Sequence, residues 1–317
     1  MTVKNRFNEK NIFTMKRDFV QHRWGEAAER EARRIIGEAL REDLSSEGDI
    51  TSLALLDADR PGRAAVVSRE EGVLAGEPIA GMVLEAVDKR LKWSPAKLDG
   101  QPLAPGETLG VITGPVRSML TAERPILNII GRLSGIATLT ARYVAAVAGT
   151  SARVYDTRKT TPGWRFLEKY AVHCGGGRNH RTGLFDAMLI KDNHLASVGG
   201  QGLTPADALR RGRAWLRERF GGGELPIIEV EVDSLDQLKN VLKANPDIVL
   251  LDNMSPEMMA EAVALRDSMA PKTELEASGG INLETVRAKA ASGVDRVSVG
   301  RLTHSPRTLD IGLDWQE

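Results

Sequence analysis

The stretch PIIEVEVDSLDQLKNVLKANPDIVLLD, residues 226–252, decides the fold. It opens on a β-branched run studded with acids, passes through an amphipathic pattern over 236–244, and closes on a second apolar run ending at Asp252. Strand, helix and strand in so short a span form a parallel pair joined by a right-handed crossover. The rhythm extends in both directions: RVYDT (153–157), AMLIK (187–191), TELEAS (273–278) and DRVSVG (295–300) read as strands, while 205–219, 256–269 and 283–291 read as helices. An open sheet and a closed barrel both fit such alternation, and the polar residues discriminate between them. Arg158 and Lys159 follow the first strand, Lys191 ends the second, Glu231 lies near the end of the third, Asp252 and Ser278 end the fourth and fifth, and Gly300 follows the sixth. A barrel gathers all these ends at one mouth, where barrel enzymes keep their chemistry.

Upstream the pattern differs. Residues 26–44 read as one amphipathic helix, and AAVVS (64–68), GVLAG (72–76) and TLGVITG (108–114) read as strands, with a helix near 79–88. From Thr121 to Gly149 the spacing predicts two helices interrupted at Ser134–Gly135, marking the passage into the barrel. The expected division is an extension over 1–24, an α/β domain over 25–135 and a barrel over 136–302, with the tail 303–317 returning to the first domain. The extension carries Lys4, Arg6, Lys10, Lys16 and Arg17 against Glu9 and Asp18 and has no apolar run of the secretory kind. Such a basic start can mark an organellar transit peptide; the expectation here is a segment that frays or packs on a partner.

The chain has 317 residues, 42% hydrophobic and 27% charged, with a formal net charge of zero, which argues against a dedicated nucleic-acid or membrane-surface binder. The most apolar long segment, 126–149, contains Arg132 and Arg142 and does not read as a membrane span. The lone Cys174 cannot form an intramolecular disulfide, which fits a reducing, cytoplasmic setting. Against this neutral background, residues 153–194 hold eight Lys/Arg against four Asp/Glu, together with three of the five histidines. Arg158, Lys159, Arg181 and Lys191 stand at strand ends or beside glycines, which points to a ligand bearing several negative charges. SGGI (278–281) and SVGR (298–301) follow late strands, SGGI opening a helix, and suit a phosphate. Glu231 and Asp252 would hold sugar hydroxyls or a divalent cation, or would simply pair with Arg and Lys. His173, His180 and His194 lack the spacing of a zinc site.

At this point a resemblance emerges. TRKTTPGWRFLEKYAVHCGGGRNHRTGLFDAMLIKDNH (157–194), EVEVDSLDQL, LLDN, EASGGI and SVGRLTHS, in that order, resemble the signature series of the quinolinate phosphoribosyltransferases, and ALREDLSSEGDITS and AERPILNIIGRLSGIAT resemble that family's first domain. The likeness runs from about residue 30 to 313. It implies an α/β fold, an open-faced sandwich followed by an incomplete, seven-stranded α/β barrel. It further implies phosphoribosyl transfer from phosphoribosyl pyrophosphate to quinolinate with decarboxylation, a step of NAD biosynthesis, assisted by Mg2+ in a homodimer with shared sites. By the same resemblance Arg124, supplied by a neighbouring subunit, with Arg158, His180, Arg181 and Lys191, holds the dicarboxylate. Lys159 and Lys191 reach the pyrophosphate; Glu231 and Asp252 serve the ribose and the metal, with Lys159, Glu231 and Asp252 catalytic. Ser278, Gly279, Gly280, Gly300 and His304 cradle the 5′-phosphate. The glycines at 175–177 are expected to bring backbone close to the ligand, with Asn179 positioning the turn and Asp192 or His194 orienting Lys191. Arg301, where a smaller residue is expected, and the long basic start are the two departures. A transferase for nicotinate and a non-catalytic anion binder are the competing readings.

Overall fold

The computed structural model describes residues 18–197, 203–221 and 223–316. The basic cluster at Lys4 to Arg17 lies outside them. The first region contains α1 (Glu26–Leu44), α2 (Ile50–Leu55), β1 (Pro61–Ser68), β2 (Gly72–Val73), α3 (Glu77–Val87), β3 (Lys92–Pro95), β4 (Pro102–Leu103), β5 (Thr108–Pro115) and α4 (Val116–Ala146). The second contains β6 (Arg153–Tyr155), α5 (Arg165–Cys174), β7 (Ala187–Ile190), α6 (Asp192–Ser197), α7 (Pro205–Phe220), β8 (Ile227–Val232), α8 (Leu235–Leu242), β9 (Ile248–Asp252), α9 (Pro256–Met269), β10 (Glu274–Ser278), α10 (Val286–Ala291), β11 (Arg296–Ser298) and α11 (Arg301–His304), and β12 (Ile311–Trp315) follows.

An antiparallel sheet in the order β12-β1-β5-β3 carries α3 and α4 against it. Its edge strand β12 is the C-terminal tail, returned to the first region. The second sheet is parallel, in the order β6-β11-β10-β9-β8-β7. This sheet has six strands where the resemblance implies seven. The segment at Arg178 lies beside β6, its N–H donating to the Val154 carbonyl at 2.8 Å and its carbonyl accepting from Asp156 N–H at 3.0 Å, so one bridge stands in a seventh place.

The period-two alternation of the parallel strands sorts their side chains. Val230, Val249, Leu251, Leu275, Ala277 and Val297 face the helices and are buried in the main core; each larger one contributes about 1.5–3 kcal/mol of burial. The opposite face lines the barrel interior in layers. At the bottom are Arg296, Glu274, Ile248, Ile227 and Ala187; above them Ser298, Glu276, Leu250, Glu229 and Leu189; at the rim Gly300, Ser278, Asp252, Glu231 and Lys191.

Two expectations need correction here. Residues 116–146 form one helix, not two interrupted at Ser134–Gly135. Ser134 bonds the Ala75 N–H, and a Cβ at Gly135 would overlap the Arg307 carbonyl, so the pair marks close packing. Nor do residues 18–22 of the extension fray or pack on a partner: they are packed onto the barrel of the same chain. The strands β3, β4 and β12 went unread because each is short or rich in Pro, Lys and Trp.

Candidate active site

The rim encloses a cleft of about 830 Å³ lined by residues of β7, β9, β10 and β11 and by the loop that follows β6. Arg158, Lys159, His180, Arg181, Lys191, Asp252, Ser278, Gly279, Gly280, Gly300 and His304 all border it. Glu231 joins them through an ion pair with Lys191 Nζ. Arg124 does not: it lies on α4, away from this cleft, its side chain 64% exposed and 3.8 Å from its neighbour Glu123. A second cavity of about 930 Å³ lies beside the first, between α4 and the tail. Its Arg142 and Arg307 are balanced by Glu70, Glu71 and Glu284, and the strand ends do not open into it, so the chemistry is assigned to the rim cleft.

Lys191 is paired with Glu231, whereas the rim arginines Arg158 and Arg181 are poorly compensated. The Arg158 Nε is buried without a hydrogen-bond partner. The Arg181 guanidinium is held below its ordinary pKa by burial and by repulsion from Arg158, and one of its N–H groups donates to the Ala187 carbonyl at 3.2 Å. Two guanidiniums held close enough to repel each other form a site for an anion that can lie between them.

Beneath Arg181 the polypeptide is fixed by a buried network. Lys169 pairs with Asp156, both wholly buried, and Asp156 accepts from His180 N–H at 2.8 Å and from Asn179 Nδ2 at 2.7 Å. Asn179 thus positions the turn. The glycines before it also permit close helix packing, since a Cβ at Gly175 would overlap the Ala137 carbonyl of α4. His194 Nδ1 accepts from Lys191 N–H at 2.9 Å, while Asp192 accepts from Asn193 N–H, so His194 is the residue that orients the Lys191 backbone.

Both nitrogens of His180 are committed to protein. Nδ1 accepts the Arg181 N–H at 2.8 Å, and Nε2 faces Glu229 at 2.9 Å and Glu276 at 3.4 Å. Burial opposes a charge on the ring, but the two carboxylates outweigh it and push its pKa up to about 10. The hydrogen bonds pull the other way, because a second ring proton would meet the Arg181 N–H. With Nδ1 accepting from the Arg181 N–H, the neutral ring carries its proton on Nε2 toward the two acids, and the Glu229 carboxyl is itself raised by burial and by Glu276. With its lone pair at Nδ1 occupied and Nε2 a donor, this cluster is not arranged as a metal site.

Glu231 and Asp252 offer the donor chemistry that a magnesium ion takes. They are hard oxygen donors at the ends of adjacent strands, and Asp252 Oδ2 accepts from Asn253 Nδ2 at 2.9 Å. Magnesium commonly uses one or two carboxylates together with waters and substrate phosphates.

The loop at 278–281 also differs from its sequence reading. SGGI does not open directly into a helix: Asn282 Oδ1 accepts from the N–H groups of Glu284 and Thr285, and α10 starts only at Val286. Lys289 Nζ donates to the Gly279 carbonyl at 3.0 Å, bringing a cation under the loop.

Residues 49–134 match the model of the N-terminal domain of quinolinate phosphoribosyl transferase, and residues 136–314 that of its C-terminal domain. The chain belongs to the quinolinate phosphoribosyltransferase family. A Mycobacterium leprae protein named nicotinate-nucleotide pyrophosphorylase (carboxylating) is 47% identical over 89% of this chain and 96% of its own length. A Bacillus subtilis protein, named a probable enzyme of the same kind, is 37% identical over 89% of this chain and 92% of its own. The solved nicotinate-nucleotide pyrophosphorylase of Francisella tularensis superposes with a TM-score of 0.85 at 37% identity, covering 94% of this chain and all of the other.

For a quinolinate phosphoribosyltransferase, the sequence reading omitted Asn253, Glu276 and Asn282 and named Arg301 only as a departure; all four border the cleft. Asn253 was visible in LLDN, but its backbone φ of 54° and its bond to Asp252 were not. Glu276 sits two residues before Ser278 on the same strand face, and that spacing was the available signal.

Proposed function

We propose that this chain transfers the phosphoribosyl group of 5-phosphoribosyl 1-diphosphate to the ring nitrogen of quinolinate and promotes decarboxylation, giving nicotinate mononucleotide, pyrophosphate and carbon dioxide for NAD biosynthesis. The observation carrying the proposal is the convergence of Arg158, Lys159, Arg181 and Lys191 on one cleft, with the acids Glu231 and Asp252 at the same rim. Quinolinate has two carboxylates and the donor a phosphate and a pyrophosphate, so the reactants repel each other without such charge. At 4 Å and an effective dielectric near 20, each opposite charge contributes roughly 4 kcal/mol of attraction before desolvation.

The ring nitrogen attacks C1′ as the bond to pyrophosphate breaks and its electron pair leaves with the pyrophosphate. Lys159 and Lys191 neutralise that leaving group. Glu231 and Asp252 face the positive charge growing at C1′, a preorganised electrostatic contribution. Arg158 and Arg181 hold the carboxylates, with His180 acting beneath Arg181. Ser278, Gly279, Gly280, Gly300 and His304 receive the 5′-phosphate. Magnesium, held by Glu231 and Asp252, would neutralise charge on the pyrophosphate. Afterwards the C2 carboxylate leaves as carbon dioxide, the electron pair at C2 is stabilised by the adjacent pyridinium, and a proton from solvent replaces it.

The proposal includes a homodimer in which Arg124 of one copy completes the cleft of the other; its exposure outside its own cleft supports this. It also includes a cytoplasmic setting. Cys174 fits a reducing compartment, and among the described residues no helix is long and apolar enough to cross a membrane. Incubation of the purified protein with phosphoribosyl pyrophosphate, magnesium and either quinolinate or nicotinate tests the reaction. Equal release of pyrophosphate and carbon dioxide with quinolinate is expected; turnover of nicotinate alone would overturn it.

A further inference from the structure

The segment bearing His180 and Arg181 has almost no regular secondary structure of its own, so contacts set its position. Residues 18–22 supply many of them. Gln21 Nε2 donates to the Asn179 carbonyl at 3.2 Å while its Oε1 accepts the Asn179 N–H at 2.9 Å, a strand-like exchange made by one side chain. The His22 N–H donates to Asn179 Oδ1 at 2.7 Å, and His22 Nε2 lies 3.2 Å from Thr182 Oγ1. Asp18 pairs with Arg178 at 2.9 Å and with Arg296 at 3.1 Å, and accepts from the Tyr155 hydroxyl at 3.0 Å.

Phe19 is buried at the lower end of the barrel with Tyr155, Ala187, Ile227 and Ile248. Its ring meets the His180 imidazole, centroid to centroid, at 4.4 Å, and the Arg296 guanidinium lies 5.3 Å from its centre. His180 is thus held between an aromatic ring on one side and Glu229 and Glu276 on another, with Nδ1 on the Arg181 N–H. Residues on both sides of Arg181 are gripped by the strap.

We propose that residues 18–22 are a positioning element for the dicarboxylate pocket: through Phe19 on His180 and Gln21 on Asn179 they set the place of Arg181, and so the affinity for quinolinate. The inference rests on the proposed reaction. The strap does not touch the phosphate loop at Ser278 to Gly280, nor Lys159, so the sugar donor should be indifferent to it. A merely structural role would lower stability and leave both Michaelis constants alone, or raise them together.

The test is steady-state kinetics of the full chain with both substrates varied, for Phe19→Ala, Phe19→Leu and Gln21→Ala. Phe19→Ala should raise the quinolinate KM about tenfold and change the phosphoribosyl pyrophosphate KM by less than about twofold. Phe19→Leu, which keeps an apolar plug, should recover part of the difference, and Gln21→Ala should raise the quinolinate KM about threefold. Unchanged constants, or equal rises for both substrates, would overturn the proposal. Should Phe19→Ala fail to fold, Gln21→Ala decides, by the same two readings. A wild-type protein inert toward quinolinate would instead remove the parent reaction, an outcome separate from an active wild type whose variants behave as it does.

Discussion

Glu231 and Glu229 sit two residues apart on β8 and point into the same barrel, yet they belong to different worlds. Glu231 is at the rim, paired with Lys191. Glu229 is one layer lower, wholly buried against His180 and raised in pKa. On β10 both Ser278 and Glu276 border the cleft, but Glu276 is wholly buried and faces the His180 ring. The proposed reaction divides the barrel by height along the strand: rim charges act on the substrates, and the buried acids beneath hold the rim in place. A buried charge whose partner is removed is costly, whereas a rim charge can be removed with little loss of fold.

The largest effect should come from the rim. Lys159→Ala should lower kcat by about 10²–10³ while the protein unfolds near the wild-type temperature, because an exposed charge is lost without a core cavity. Activity near wild type in a folded variant would remove Lys159 from the chemistry and blur the contrast.

A second effect belongs to the strap at residues 18–22. His22 stacks on Phe166 with ring centroids 4.5 Å apart, and burial, reinforced by repulsion from Lys169, pulls its pKa from 6.5 down to about 4. The folded value lies below the unfolded one, so the unfolded chain binds the extra proton in between. The stabilisation is therefore complete above about pH 6.5 and is lost as the pH falls toward 4, by on the order of 3 kcal/mol. Urea midpoints of wild type and His22→Phe, compared at about pH 7 and about pH 5, should show a smaller decline in the variant. Parallel declines would contradict this account of His22.

The smallest signal concerns the dimer. Mixing Arg124→Ala with Lys159→Ala subunits should restore about a quarter of wild-type activity in random dimers, since one of the two clefts in each heterodimer is then intact. No recovery in verified heterodimers would place Arg124 outside the partner's cleft.

Much of this was legible in the sequence. The strand ends carrying Arg158, Lys191, Asp252 and Ser278 could be located because period-two patterning fixes which residues share a face and the apolar runs fix where each strand stops. What escaped depends on contacts far apart in the chain. Ser134–Gly135 reads locally as a helix break, and only the Arg307 carbonyl packed on it shows a reason for the small residues. His180 reads as a free ligand until Glu229, Glu276 and Arg181 are seen around its ring. The strap over 18–22 has no periodic signal, because its hold depends on single side chains such as Gln21 and Phe19.

The most direct test is the same substitution made twice, Glu231→Ala and Glu229→Ala, with kcat at saturating substrates and the unfolding midpoint measured for both. Glu231→Ala should lose about a hundredfold or more in kcat and unfold close to wild type, and Glu229→Ala should lose stability with kcat reduced by less than about tenfold. The opposite assignment, or matching losses in both proteins, would contradict the division between rim and supporting layer.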